Sequence, residues 1–436
     1  MFKYFVTATI LLLPCLAHAE NWGQFRGPNF NGFTDETNLP AEWTATEKVA
    51  WSTELPGASA AAPIVWDDHV FVSSTDAADK SLVAMCLDRK SGDIKWKRKI
   101  ADGVRRDSRS NFAAPTPATD GEVVVFFYGT GNLAAFDFDG NELWKRDIAA
   151  DYGEFAFQWT FSTSPLLFNG KLYLQVLQRD TSVRGRGFTD RVNESYLLAL
   201  SPKTGEQIFQ TIRPSKAKAE SREAFTTPIP FTHEGRTEIL VVGGDALSGH
   251  DPETGEELWR WGTWNPDRIG HWRLVPSPVA GGGVILACAP KKEPIYAIKA
   301  GGKGELTDDA IAWTSVDPKV VSSDVPTPAF AYGDFFILNK DRKMLARVEP
   351  KGGEIKWQTR IPGNQGFFEA SPLVADGKLY IINSSGRCMV YDVENGEKIG
   401  DVEMDEPRDD YVRSSIVAAH GQLFIRTTSH LFCISN

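Results

Sequence analysis

The sequence predicts an all-β protein, an eight-bladed β-propeller of four-stranded antiparallel blades closed by pairing of an N-terminal strand with the C-terminal blade. Three observations predict it: a repeated strand–turn–strand unit ending in Trp, the spacing of its copies, and the incomplete copies at the two ends of the chain.

Aligned on the last turn, the copies read CLDRKSGDIKW to Trp96, AFDFDGNELW to Trp144, ALSPKTGEQIF to Phe209, GHDPETGEELW to Trp259, RVEPKGGEIKW to Trp357 and VYDVENGEKI to Ile399, with a looser copy ending at Trp313. Aligned on the first strand they read APIVWDDHVFV, SPLLFNGKLYL, SPVAGGGVILA, TPAFAYGDFFI and SPLVADGKLYI. Each is a Pro-led, alternating apolar segment bounded by Gly or Asp turn chemistry, the pattern of paired strands. Copies recur roughly every 42 to 65 residues, the range of a four-stranded blade. The chain has 13 Trp and 26 Phe, and large flat rings at the repeat position suit the wedge between neighbouring sheets.

In chain order, the first element is a leader. Lys3 precedes the apolar run from Phe5 to Leu13, and Ala17-His18-Ala19 supplies a small-x-small cleavage pattern before Glu20. The run is too short to span a bilayer, and Pro14 stands before Cys15 where a lipoprotein signal needs a small residue. Residues 1–19 are expected to be a cleaved signal peptide, with a periplasmic or secreted product. Residues 20–45 form an N-terminal extension, and 46–436 the propeller.

The segment VAWSTELPG, with Trp51, precedes every other strand and has no upstream partner. At the far end, SSIVAAHGQLFIRTTSHLFCIS supplies three strands and stops. Joining the first strand to the last three completes an eighth blade and hides both open edges. The longest departure from the repeat, Gln178 to Glu194 with its RGRG core, lies between strands two and three of blade three. Such a loop is a customary place for specific contacts, and equally a cheap surface insertion.

Four cysteines follow the leader: Cys86, Cys288, Cys388 and Cys433. No CxxC or haem motif occurs, and Cys86 and Cys433 lie at matching positions of neighbouring blades. Stacked sheets ~10 Å apart argue against a disulfide, which needs Cα atoms within ~7 Å, so the four read as small buried residues. Asp137-Phe-Asp-Gly140 is an outer hairpin turn, not a calcium loop. The histidines form no metal-spaced pair, and no metal site is expected.

The signature D/S-x-x-T/N/K-G-E/D-x-x-W resembles the tryptophan-docking repeat of pyrroloquinoline-quinone (PQQ) propellers over nearly the whole mature chain. That superfamily includes quinoprotein dehydrogenases and non-catalytic relatives such as the propeller subunit of the barrel-assembly machinery. The opening Trp22-Gly-Gln-Phe-Arg-Gly-Pro-Asn29 is similar to the start of exported PQQ-like repeat proteins. By this resemblance Trp51, Trp96, Trp144, Phe209, Trp259, Trp313 and Trp357 are the docking rings. The enzymes hold PQQ on the axis with Ca²⁺ and, in many members, a disulfide of adjacent cysteines; this chain has no Cys-Cys pair and lacks their insertions.

Ligand-reaching side chains are expected where each innermost strand begins, on the face that carries the blade-joining loops. Those positions are Arg109, Asn111, Trp159, Arg222, Glu223, Trp272, Arg273, Asp324, Glu369 and Arg413. They offer a stacking ring, carboxylates and guanidinium groups that suit an anion; the same set also reads as the ordinary polar lining of a channel. The first five blade connections are rich in Arg, including Arg105, Arg106, Arg184, Arg186 and Arg191, whereas EMDEPRDDY from Glu403 is acidic. With a net charge of −10, nucleic acid is not expected as a partner. The expected function is a non-catalytic binding or scaffold protein of the cell envelope, monomeric, meeting a protein or envelope component through the loop face. A PQQ- and Ca²⁺-dependent oxidoreductase and a polysaccharide-binding propeller are the alternatives.

Overall fold

The computed structural model describes residues 20–105, 107–262, 264–363, 366–404 and 411–436; the leader, Arg106 and most of the acidic connection lie outside the described residues. Eight antiparallel sheets follow one another around an axis. Each innermost strand is short, as in Ile64–Trp66, Leu166–Phe168 and Leu373–Ala375, and each outermost strand carries the repeat aromatic or its equivalent. The last sheet runs in the order Val49–Glu54, His430–Ser435, Gln422–Arg426, Val417–Ala419, with Trp51 opposite Cys433. The first strand therefore closes the ring, as the sequence predicts.

One blade departs from the expected four strands. The connection 300–310 in blade five is long, and its Gly304–Glu305 pairs in parallel with the outer edge of blade four. The only α-helix among the described residues is the short Ile148–Tyr152.

The repeat signature is a joint between blades. Trp51, Trp96, Trp144, Trp313 and Trp357 each donate their indole N–H to a carbonyl in the outer turn of the next blade, at Arg89, Phe138, Pro202, Pro350 and Val393, over 2.7–2.9 Å. The turn glycine of that next blade lies flat on the ring: a Cβ on Gly92, Gly140, Gly205, Gly353 or Gly396 would come within 2.6–2.7 Å of indole atoms. Two residues after the aromatic a further donor ties the same turn: Thr53 to Gly92 O, Arg98 to Gly140 O, Arg146 to Gly205 O and Thr359 to Gly396 O. Glycine is needed twice over, because its φ is positive and because a side chain would strike the ring. Trp259 differs. Its N–H goes to the buried Glu238 carboxylate of its own blade at 2.8 Å, since blade five replaces the usual turn with the long connection.

The four cysteines are buried free thiols, and burial pushes Cys86, Cys288 and Cys433 up to about 12. They are packing residues, not nucleophiles.

Residues 20–43 cross the face opposite the loop face and stitch blades that are distant in sequence. Trp22 exchanges both backbone hydrogen bonds with Val65, Gly23 O accepts from Thr119, and the Gln24 amide brackets Leu167. Asn31 O accepts from Phe330, and Gly32 O from Val374. The Glu36 carboxylate accepts from the His420 and Gly421 amides. Arg26, 4% exposed, donates to the carbonyls of Pro328 and Pro372. The FRGP part of the opening motif thus ties the far side of the ring.

Candidate functional site

At the loop face the eight blades surround an open funnel of about 270 Å³. Phe25 of the crossing segment lies at its base, and its floor is ringed by the residues just before each innermost strand. These are Ala62, Thr116, Ser164, Thr227, Ser277, Thr327, Ser371 and Ser415, one per blade, all lining the funnel. The backbone N–H at each position donates to the hydroxyl of the next: Ala62 to Thr116, Thr116 to Ser164, Ser164 to Thr227, Thr227 to Ser277, Ser277 to Thr327, Thr327 to Ser371, and Ser371 to Ser415, over 2.9–3.2 Å. The circle stops at blade one, where Ala62 has no hydroxyl for the Ser415 amide.

This ring has a chemical consequence. Each hydroxyl oxygen spends a lone pair on a backbone N–H, and none of the seven donates its own proton to a protein acceptor among the described residues. A hydroxyl so held offers its O–H to whatever occupies the funnel. The floor is therefore a circle of proton donors.

Above it stand charged groups. Arg109, Trp159, Arg273, Asp324, Glu369 and Arg413, all placed on this face by the sequence, line the funnel together, joined by Lys291 and Lys340. Glu369 is engaged by Arg413 at 2.6 Å. Asp324 accepts the Lys291 backbone N–H at 2.7 Å and faces the Lys340 ammonium at 3.7 Å. Glu220 holds both the Trp159 indole N–H and Arg273, each at 3.1 Å. Neither Arg109 nor the Lys291 ammonium pairs with a carboxylate among the described residues. Lys291 is held below the usual lysine range by desolvation and by the nearby charges of Arg273 and Arg109. Like charges gathered this closely, without enough acids to neutralise them, favour an anion between them.

Four predicted positions point elsewhere. Asn111 joins the blade-one and blade-two loops, donating to Ala58 O and accepting from the Ala113 N–H. Glu223 is fully buried against Arg179 at 2.5 Å and accepts from the Gln158 N–H; burial pushes its carboxyl up to about 7. Trp272 packs, partly buried, against the core cluster that blades three to five share. Arg222 likewise turns to the Ser215 and Ala217 carbonyls. These segments are irregular, so side chains one or two residues apart do not alternate faces as they would in a strand.

The hydroxyl ring, Phe25, Lys291 and Lys340 are not among the site positions that the sequence predicts. A signal for the ring was present, because Ser or Thr stands before Pro in six of the eight copies: Thr116, Ser164, Thr227, Ser277, Thr327 and Ser371. Phe25 falls within the opening motif, but nothing in that motif signals its place beneath the funnel.

The residues do not fit a resident cation. Among the described residues no three His, Cys, Asp or Glu side chains come together to hold a metal, and both funnel carboxylates already have cationic partners.

Fold and site together define an eight-bladed propeller of the PQQ-like type, with a funnel on its loop face. The chain matches the family model described as "Outer membrane protein assembly factor BamB" over residues 33–184 and 193–436, and it belongs to that family. Among solved structures it is similar to BamB from Moraxella catarrhalis, at 12% identity and a TM-score of 0.57, over 89% of this chain and 97% of that one. It is similar to quinohemoprotein alcohol dehydrogenase ADHIIG from Pseudomonas putida HK5, at 13% identity and TM-score 0.63, over 95% and 80% of the two chains. A europium-containing methanol dehydrogenase matches at 11% identity and TM-score 0.65, over 95% and 98%. At these identities the likeness concerns the fold. No significant match is found among curated proteins. No helix among the described residues is long and apolar enough to cross a membrane.

Proposed function

We propose that this protein is a non-catalytic binding protein of the cell envelope, which receives an anionic group of its partner in the axial funnel on the loop face. One observation carries the reading: Arg109, Arg273 and Lys291 converge over a floor of proton-donating hydroxyls, with too few carboxylates to neutralise them. Such a lining recognises oxyanions, and it presents no paired acid and base or activated nucleophile for chemistry. Membership of a family described by an assembly factor supports a protein partner, and the predicted leader supports export.

The competing reading is a quinoprotein oxidoreductase, favoured by the likeness to two dehydrogenases. The cationic wall suits the carboxylates of a quinone such as PQQ, but the donor set offers Ca²⁺ no seat. Titration of the mature protein with PQQ and Ca²⁺, followed by dye-coupled alcohol oxidation, separates the two readings. Absence of turnover is expected. Saturable binding with turnover would overturn the non-catalytic reading.

A further inference from the structure

Beside the funnel, on the other side of Trp159, a crevice of about 190 Å³ opens between blades two and three. Its walls are aromatic: Phe112, Phe155, Phe157 and Phe161 join Trp159, and Phe155 and Phe161 pack with ring centroids 4.6 Å apart. Its rim is basic. Arg105 and Arg186 line the opening together with one acid, Glu154, and the Arg184 guanidinium lies 5.5 Å from the centroid of the Trp159 ring.

Arg184 and Arg186 come from the inserted loop. Val183 and Arg186 exchange both backbone hydrogen bonds at 3.0 Å across Arg184 and Gly185, whose φ values are 51° and 76°. This is a two-residue hairpin turn with left-handed central residues. The Asn193 side chain secures it by accepting from the Phe188 N–H and donating to the Phe188 carbonyl. The insertion therefore holds its guanidinium groups at the crevice.

None of Arg105, Arg184 and Arg186 pairs with a carboxylate among the described residues, although the chain as a whole carries −10. Elsewhere the chain matches such groups with acids, as at Arg146–Asp151, Arg347–Asp334 and Arg387–Asp401. Arg105, Arg184 and Arg186 outnumber Glu154, the one acid that lines the crevice, and a net basic rim around a one-residue aromatic slot is complementary to a chain that brings carboxylates and an aromatic side chain.

We infer that this crevice docks an acidic segment of a partner protein, which inserts one aromatic side chain among the phenylalanines and lays flanking carboxylates on Arg105, Arg184 and Arg186. Edge-to-face contact with surrounding rings favours an aromatic occupant over an aliphatic one. The inference deepens the loop-face reading and rests on it.

The test uses the mature full chain and a fluorescein-labelled dodecapeptide of Asp and Glu with one central Phe, followed by anisotropy. Saturable binding is expected, weakened at least tenfold by replacing the peptide Phe with Ala. The Arg105→Glu/Arg184→Glu double variant and Thr130→Trp, which fills the crevice, should each weaken it as much, with circular dichroism reporting that both variants fold. Affinity indifferent to the Phe or to both variants overturns the inference while leaving the funnel to its own titration. Equal binding of an oligothymidylate or of phosphatidylglycerol vesicles would reveal a general anion surface and also overturn it.

Discussion

Placing a methyl group on Gly140 tests the joint between blades. The glycine has φ of +80°, and a Cβ there would lie 2.6 Å from Cγ of Trp96. Left-handed backbone costs an L-residue about 1–2 kcal/mol. Forcing the ring away adds overpacking of about 1–3 kcal/mol and weakens the 2.9 Å bond from the Trp96 indole to Phe138 O, a net contribution of about 1 kcal/mol. Gly140→Ala should therefore cost about 3–6 kcal/mol. Gly170 supplies the control, because its φ is +69° but no atom lies within 4 Å of its would-be Cβ. Gly170→Ala should cost only the strain, about 1–2 kcal/mol. Urea unfolding followed by circular dichroism gives both values, and the difference between them measures the joint. Equal losses would refute the claim that the turn glycine exists to seat the next indole.

Ala62→Ser would supply the missing hydroxyl of the funnel ring to the Ser415 N–H; a gain of about 0.5–1.5 kcal/mol is expected, read as a raised urea midpoint. His250 is 1% exposed, held between Ser248 Oγ and Gly255 O at 3.0 Å, and lowered to about 4 by burial and by the charge of Arg213. Its folded pKa lies below the unfolded value, so the unfolded state binds the proton first and stability falls as pH drops from 6.5 towards 4, by about 3 kcal/mol. His250→Gln should flatten that part of the stability profile, and an unchanged slope would remove His250 as its source.

The fold was readable because its repeats carry local chemistry: a turn glycine, an aromatic and alternating strands each leave a mark in sequence. The circular closure followed from Trp51 having no upstream partner. The site was readable only in part. Arg109, Trp159, Arg273, Asp324, Glu369 and Arg413 were found by asking where the innermost strands begin, but the same rule selected Asn111, Glu223 and Trp272, whose side chains turn into blade contacts. Thr116 or Ser277 alone is an unremarkable residue before Pro. Its role as donor arises only when eight distant positions meet around the axis. Phe25 escaped notice for a related reason, since nothing near it in sequence shows that the chain crosses beneath the funnel. The fifth strand of blade four was hidden in the long connection of blade five, which has little strand pattern.

The central claim is that the funnel receives an oxyanion between its unpaired cations and its hydroxyl floor. Isothermal titration of the mature protein with benzene-1,3,5-tricarboxylate tests it most directly, with the Arg109→Met/Lys291→Met variant alongside. One saturable site that weakens with salt and is lost in the variant is the predicted result. No binding by the unaltered protein, or binding that the double variant retains, would contradict the claim.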